Sequence, residues 1–307
     1  MTEQRRKNTL ATGLGFVSIV LWATTVPVAR GVLEKLDVWL GAALIFLPSG
    51  ILLILLTTLR ARGLRWMLHL SRRHLVFCGP LFIAYLCLFY LALGLAQTRP
   101  EAIVVGLINY LWPTMILLFA IPLLGRRPRG LAFAVGSAIS LGGIVLAMSV
   151  QAEGLGALIG ALGASGLPML LALVASVMWG LYSNLAKRYP QTNSSGAVGL
   201  FLLVTGLSLL AVAEKQWGGV DWTPKAIGEL SYMIIFPASL AYCFWDIAMR
   251  DGNIALLGSA SNLIPVLATL LAGVYLQVTL GWELLGGAIG VVLGGFLCQL
   301  AFRQGTR

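Results

Sequence analysis

Tyr90, Asn109, Tyr110, Trp112, Trp179, Tyr182 and Asn262 are aromatic or amide side chains set well inside long apolar runs of a 307-residue chain. An aromatic face can stack on a planar ring or hold a cation against it. A carboxamide carries two N–H donors and one acceptor oxygen, so it can meet a carboxylate or an ammonium. The chemistry these types could do together is recognition of a small molecule with a ring and charged ends. Each residue also has a plainer role open to it, as core packing for the rings and as an interhelical hydrogen bond for the amides. The gathering of the aromatics around residues 90, 110 and 180 favours a pocket. Trp39, Trp66, Trp217, Trp222 and Trp282 fall at the ends of apolar runs and are expected to be anchors at a membrane–water interface.

Charged groups inside the runs are few. Asp246, in Phe244-Trp245-Asp246, is placed to be a proton site or the partner of a cation. Arg250 follows at i+4 and can pair with it instead. Glu101 and Arg99 precede a long run and read first as a loop ion pair, then as a gate. Catalysis would need a positioned acid, base or nucleophile constellation, and the runs hold no histidine and no HExxH pattern. His69 and His74 sit in an Arg-rich stretch read as a loop. Cys78, Cys87, Cys243 and Cys298 form no CxxC pair and read as small buried side chains. Without GxxxxGK[ST] there is no nucleotide-binding loop of the P-loop kind. No catalytic residue, cofactor or metal is expected.

The elements that must position these residues follow from composition. Hydrophobic residues make up 59% of the chain and charged ones 10%, and the mean hydropathy is +0.91. A soluble domain carries about 25% charged residues, so this chain's surface must be covered by lipid. About 20 apolar residues cross a bilayer as a helix. That rule predicts ten helices, near 11–30, 38–59, 75–96, 101–124, 130–150, 167–187, 195–214, 229–249, 254–276 and 283–303. The first, with its apolar run from Leu10 to Ala29, is longer than the core of a cleaved signal and reads as a true span. The net charge of +10 sits in short clusters between runs, such as Arg5-Arg6-Lys7 and Arg126 to Arg129. That pattern is a topology signal and argues against nucleic acid as a partner. With the N-terminus cytoplasmic, all Lys and Arg but Arg30, Lys35, Arg99, Lys215 and Lys225 fall on the cytoplasmic side. Ten helices then return the C-terminus there too.

The halves echo each other. Trp22 and Trp179 lie 157 residues apart, as do Pro80 and Pro237. Asn109 and Pro113 correspond to Asn262 and Pro265, and Leu141-Gly142-Gly143 to Leu293-Gly294-Gly295. Five is odd, so a duplicated five-helix unit must insert upside down, the arrangement of inverted-repeat transporters. The fold expected is therefore an all-α membrane protein of two inverted five-helix repeats with both termini cytoplasmic. The N-terminal repeat covers 1–150, a Gly-rich connector 151–166 and the C-terminal repeat 167–307. The connector either lies at the interface or lengthens the sixth helix. Pro27, Pro48, Pro80, Pro113, Pro122, Pro237 and Pro265 should kink their helices. Pro113 and Pro265 are candidates for gating pivots, with static packing as the other role. Gly286, Gly290 and Gly294 form GxxxG steps, read as packing within a monomer ahead of a homodimer seam.

Ten helices as five plus five, Trp22-Ala23-Thr24-Thr25-Val26-Pro27 in the first, and Asn-x-x-x-Pro and Asn-x-x-Pro in the fourth and ninth resemble the drug/metabolite transporter superfamily, in its ten-helix EamA-type branch. Glu101 followed by Asn109-Tyr110-Leu111-Trp112-Pro113 resembles the aromatic amino-acid exporters of that branch. The resemblance implies a secondary transporter of a bacterial inner membrane that exports aromatic amino acids or similar amphipathic solutes by rocking one repeat against the other. Export, in particular, rests on the resemblance alone. The four-helix relatives carry an acid in the first span; this chain has none there, so their proton exchange does not carry over. A multidrug or quaternary-ammonium exporter is the alternative, with Asp246 as counter-charge. An intramembrane lipid-modifying enzyme is the alternative from another class.

Overall fold

The structure, a computed structural model, describes residues 3–125, 128–149, 166–189, 194–213, 222–252, 257 and 260–303. The expected connector lies outside these residues up to position 165, and Gly166 already opens a helix. Trp217 is outside them as well.

The described residues with regular structure are all helical. In chain order they are α1 Glu3–Ala23, α2 Thr25–Leu33, α3 Val38–Arg60, a 3₁₀ segment Leu64–His69, α4 Arg72–Leu95, α5 Arg99–Asn109, α6 Trp112–Leu124 and α7 Gly130–Met148. The second half holds α8 Gly166–Arg188, α9 Ser194–Val212, α10 Pro224–Ile235, a π-helical turn Phe236–Leu240, α11 Ala241–Asp251, α12 Ile264–Leu276 and α13 Trp282–Arg303. Among the described residues, eight helical stretches are long and apolar enough to cross a membrane, and two shorter apolar helices, Gly196–Val212 and Ile264–Leu276, accompany them.

The prolines act in two ways. Pro113 and Pro265 each stand at the start of a new helix, α6 and α12, where the missing N–H is an orphan anyway. A turn interrupts the helix just before, at Tyr110-Leu111 and Asn262-Leu263. These are breaks, where kinks were expected. Pro237 sits in the π-helical turn, while Pro48, Pro80 and Pro122 lie inside continuous helices.

The chain divides into two compact units, Met1–Ile83 with Tyr189–Ser261, and Ala84–Arg188 with Asn262–Arg307. Neither is a sequence half; each draws helices from both. In the first unit α3 packs along α9 and α1 along α11. Gly50 makes the α3–α9 approach possible, since a Cβ there would stand 2.8 Å from the Gly199 carbonyl oxygen. In the second unit α7 packs along α13, and α8 along α5 and α6. A Cβ on Gly143 would meet the Gly287 carbonyl oxygen at 2.6 Å, and one on Gly290 the Gly143 Cα at 2.9 Å. The small residues of the C-terminal helix thus pack against α7 of the same chain.

Several side chains depart from their expected places. Trp66 is not an interface anchor: it is buried, donates Nε1–H to Thr58 Oγ1 at 3.1 Å and packs over Gly196. Its length of apolar ring outweighs its position at a run end. Trp222 and Trp282 are exposed, as an anchor would be. His74 is no loop residue; it lies in the first turn of α4, buried, with Nδ1 2.8 Å from the Tyr189 carbonyl oxygen and its ring stacked on Phe201. Glu101 is buried in the first turn of α5. There Thr98 Oγ1 accepts from Glu101 N–H and Glu101 Oε2 accepts from Gln97 N–H at 2.7 Å, a capping arrangement that satisfies helix-end donors. Arg99 reaches elsewhere, donating to the Leu276 carbonyl oxygen at 2.8 Å. In the first unit the buried Glu229 accepts from Lys35 at 2.7 Å and ties α10 to the end of α2.

Candidate functional site

Within the second unit, α4, α6 and α8 bring aromatic side chains together around Trp179. Tyr85 from α4 lies tilted against it with ring centroids 4.7 Å apart. Tyr182, one turn along α8, stands at 5.1 Å. Trp112, the first residue of α6, meets it edge-on at 6.4 Å. Phe89 extends the group by stacking on Tyr85 at 6.1 Å, and Tyr90 meets Phe89 edge-to-face at 5.9 Å. Such pairs contribute about 0.5–1.5 kcal/mol each beyond burial, so the cluster is held by its own rings.

The backbone explains why they converge. The turn at Tyr110-Leu111 ends α5 and puts Trp112 at the start of α6. Helix α8 comes close to α6 because Gly180, next to Trp179, has no side chain: a Cβ there would be 2.7 Å from Met115 Cβ. Asn184, one turn further, locks the approach by donating to the Ile116 carbonyl oxygen at 2.9 Å and to the Gly180 carbonyl oxygen at 2.8 Å. Trp112, Trp179 and Tyr182 remain partly accessible while Tyr90 and Tyr110 are buried.

Asn109, the last residue of α5, is 2% exposed. Its side chain hydrogen-bonds that of Tyr85, and because Oδ1 has no partner in the protein, the amide nitrogen is the donor. Asn262 lies in the same unit but is engaged differently: Nδ2 donates to Gln299 Oε1 at 2.9 Å, tying the start of α12 to α13. Of the residues expected at a site, Tyr90, Asn109, Trp112, Trp179 and Tyr182 therefore join one cluster, with Tyr110 buried at the break between α5 and α6. Asn262 forms a separate link. Pro113 and Pro265 open the helices after the breaks. Asp246 has its backbone in α11, and its side chain lies outside the described residues; the neighbouring Trp245 packs against Trp22 at 5.2 Å.

Sequence reasoning passed over Tyr85, Phe89 and Asn184. A signal for Tyr85 was present: Tyr242 follows it by 157 residues, the same interval that separates Trp22 from Trp179. The first unit carries the counterpart pair, Trp22 against Tyr242 at 5.3 Å, with Phe82 beside Tyr242 at 5.9 Å. Among the described residues no group of His, Cys, Asp and Glu could hold a metal ion.

The sequence pattern of the EamA-like transporter family matches residues 9–149 and again residues 166–299. The aromatic amino acid exporter YddG of Salmonella typhimurium is 33% identical over 313 residues, spanning 99% of this chain and all of its own. That of Escherichia coli is 32% identical over 309 residues with the same coverage, and that of Ancylobacter novellus 31% identical, covering 93% of this chain and 95% of its own. A solved crystal structure, 27% identical, superposes with a TM-score of 0.69 over 97% of this chain and 99% of its own. The chain belongs to the EamA-like transporter family and is a membrane transporter rather than an enzyme.

Proposed function

We propose that the protein is a secondary transporter that exports aromatic amino acids, or small amphipathic solutes like them, across a bacterial inner membrane by alternating access. The observation that carries this reading is the Tyr85–Trp179–Tyr182–Trp112 cluster, whose partly accessible rings offer stacking surfaces in a chain 31–33% identical, nearly end to end, to proteins named for aromatic amino acid export. A ring-bearing solute gains there both burial and aromatic geometry.

The architecture in this reading is ten spans in two inverted five-helix repeats, 1–150 and 167–307, with both termini cytoplasmic. Support comes from the two stretches that match one family pattern. It comes also from pairings that respect the repeat: Trp22 on Tyr242 and Tyr85 on Trp179 exchange the same two positions between halves. The pairs α3–α9 and α7–α13 each join a helix to its counterpart five spans later. A two-fold relation between the repeats brings such counterparts together.

The test is uptake of labelled phenylalanine or tryptophan into liposomes holding the purified protein, against Trp112→Ala and Trp179→Ala. Saturable uptake that falls in folded variants supports the reading. If the folded wild-type protein gives no uptake above empty liposomes, aromatic amino acids are not its cargo, and lipophilic cations are the next substrates to try.

A further inference from the structure

Asn109 is almost completely buried, yet only its nitrogen is engaged. A buried acceptor left unsatisfied is destabilising, and an N–H carried by a passing solute would satisfy it. The Tyr85 hydroxyl accepts from the amide nitrogen, which leaves the oxygen as the end on offer. The same Tyr85 ring is the one packed on Trp179 at 4.7 Å. One residue therefore joins the stacking surface to the orientation of the amide. An oxygen acceptor selects a donor: it can receive N–H from a primary ammonium and offers nothing to a carboxylate.

We propose that Asn109 Oδ1 is the acceptor for the ammonium group of the transported solute, and that Tyr85 is a positioning residue that holds the amide with its oxygen free. This deepens the export reading and rests on it for the identity of the ring-bearing cargo. The substrate class is then an aromatic ring joined by a short link to a primary ammonium. A deaminated acid with the same ring lacks the donor. A quaternary ammonium with the same ring has the charge but no N–H, and the surrounding rings alone hold it less well. Asn262 does not share the role: its nitrogen donates to Gln299, and its oxygen is not among the buried atoms left without a partner.

The experiment compares phenethylamine, 3-phenylpropionate and N,N,N-trimethylphenethylammonium, as ligands quenching tryptophan fluorescence of the purified full-length protein and as competitors of labelled phenylalanine uptake. The expected result is a preference of about tenfold or more for phenethylamine over both others, the scale of a hydrogen bond to a charged group. Asn109→Leu loses that preference, and Asn109→Asp, which keeps acceptor oxygens, retains it. Tyr85→Phe narrows it by freeing the amide to turn, whereas a merely structural role for Tyr85 would weaken all three ligands alike. Equal or tighter binding of 3-phenylpropionate, or a preference that survives in Asn109→Leu, overturns the assignment. Phenylalanine uptake without any amine preference overturns it while leaving export intact. Amine-selective binding without phenylalanine uptake supports the assignment and counts against export.

Discussion

Trp179 touches Tyr85, Trp112 and Tyr182, so it is where a single substitution should separate recognition from stability. Trp179→Ala removes three ring contacts and should cost about 2–3 kcal/mol of stability, less than for a fully buried ring. Thermal unfolding in detergent would read this. The larger effect is expected on recognition: the KM for phenylalanine uptake should rise about tenfold or more, with Trp179→Phe in between. A KM that stays fixed while only stability falls would make the cluster a packing device. At this scale the sequence exposed residue types and missed partners. Trp112, Trp179 and Tyr182 stood out because aromatics inside an apolar run are conspicuous. Tyr85 was equally visible through its 157-residue interval to Tyr242. The difference between Asn109 and Asn262 was not legible, because it turns on Tyr85 and Gln299, which other helices deliver.

The breaks and the glycine seams belong to the scale of the helix. Pro113 has no N–H for the carbonyl of Asn109 four residues earlier, and the chain turns out of the helix there. Pro113→Ala restores the donor, so α5 and α6 should tend to fuse and carry Trp112 away from Trp179. We expect slower phenylalanine uptake with an unchanged or raised melting temperature; a fall in both would indicate plain misfolding. Neighbouring glycines in α7 give a sharper contrast. A Cβ on Gly142 meets nothing within 4 Å, while one on Gly143 would strike the backbone of α13. Gly142→Ala should therefore be neutral or stabilise by about 0.5–1 kcal/mol. Gly143→Ala should destabilise by about 1–3 kcal/mol, and matched melting temperatures would contradict this seam. Some helix positions were readable from hydropathy to within a few residues, as for 130–150 against Gly130–Met148 and 38–59 against Val38–Arg60, while α1 starts at Glu3 where 11 was expected and α12 at Ile264 where 254 was expected. Breaks were not, since proline marks a lost hydrogen bond without saying whether neighbours replace it. Pro48 and Pro80 carry the same lesion inside unbroken helices.

For the molecule as a whole, the distribution of charge sets the expected topology. Basic clusters between apolar runs predict a cytoplasmic C-terminus, so a C-terminal fluorescent protein should light up in cells and a C-terminal periplasmic phosphatase should stay inactive. The opposite pattern would invert the topology. The proposed halves, 1–150 and 167–307, rest on duplicated motifs that keep their order. The compact units were not legible, since each takes helices from both halves, and side-by-side packing of counterparts leaves no trace along the chain. In the proposed function, the rings around Trp179 serve a transported aromatic amino acid. The most direct test is uptake of labelled phenylalanine into liposomes holding the purified wild-type protein, with unlabelled tryptophan as competitor. Saturable uptake that tryptophan suppresses is the expected result; folded protein that carries no label above empty liposomes would contradict the proposed function.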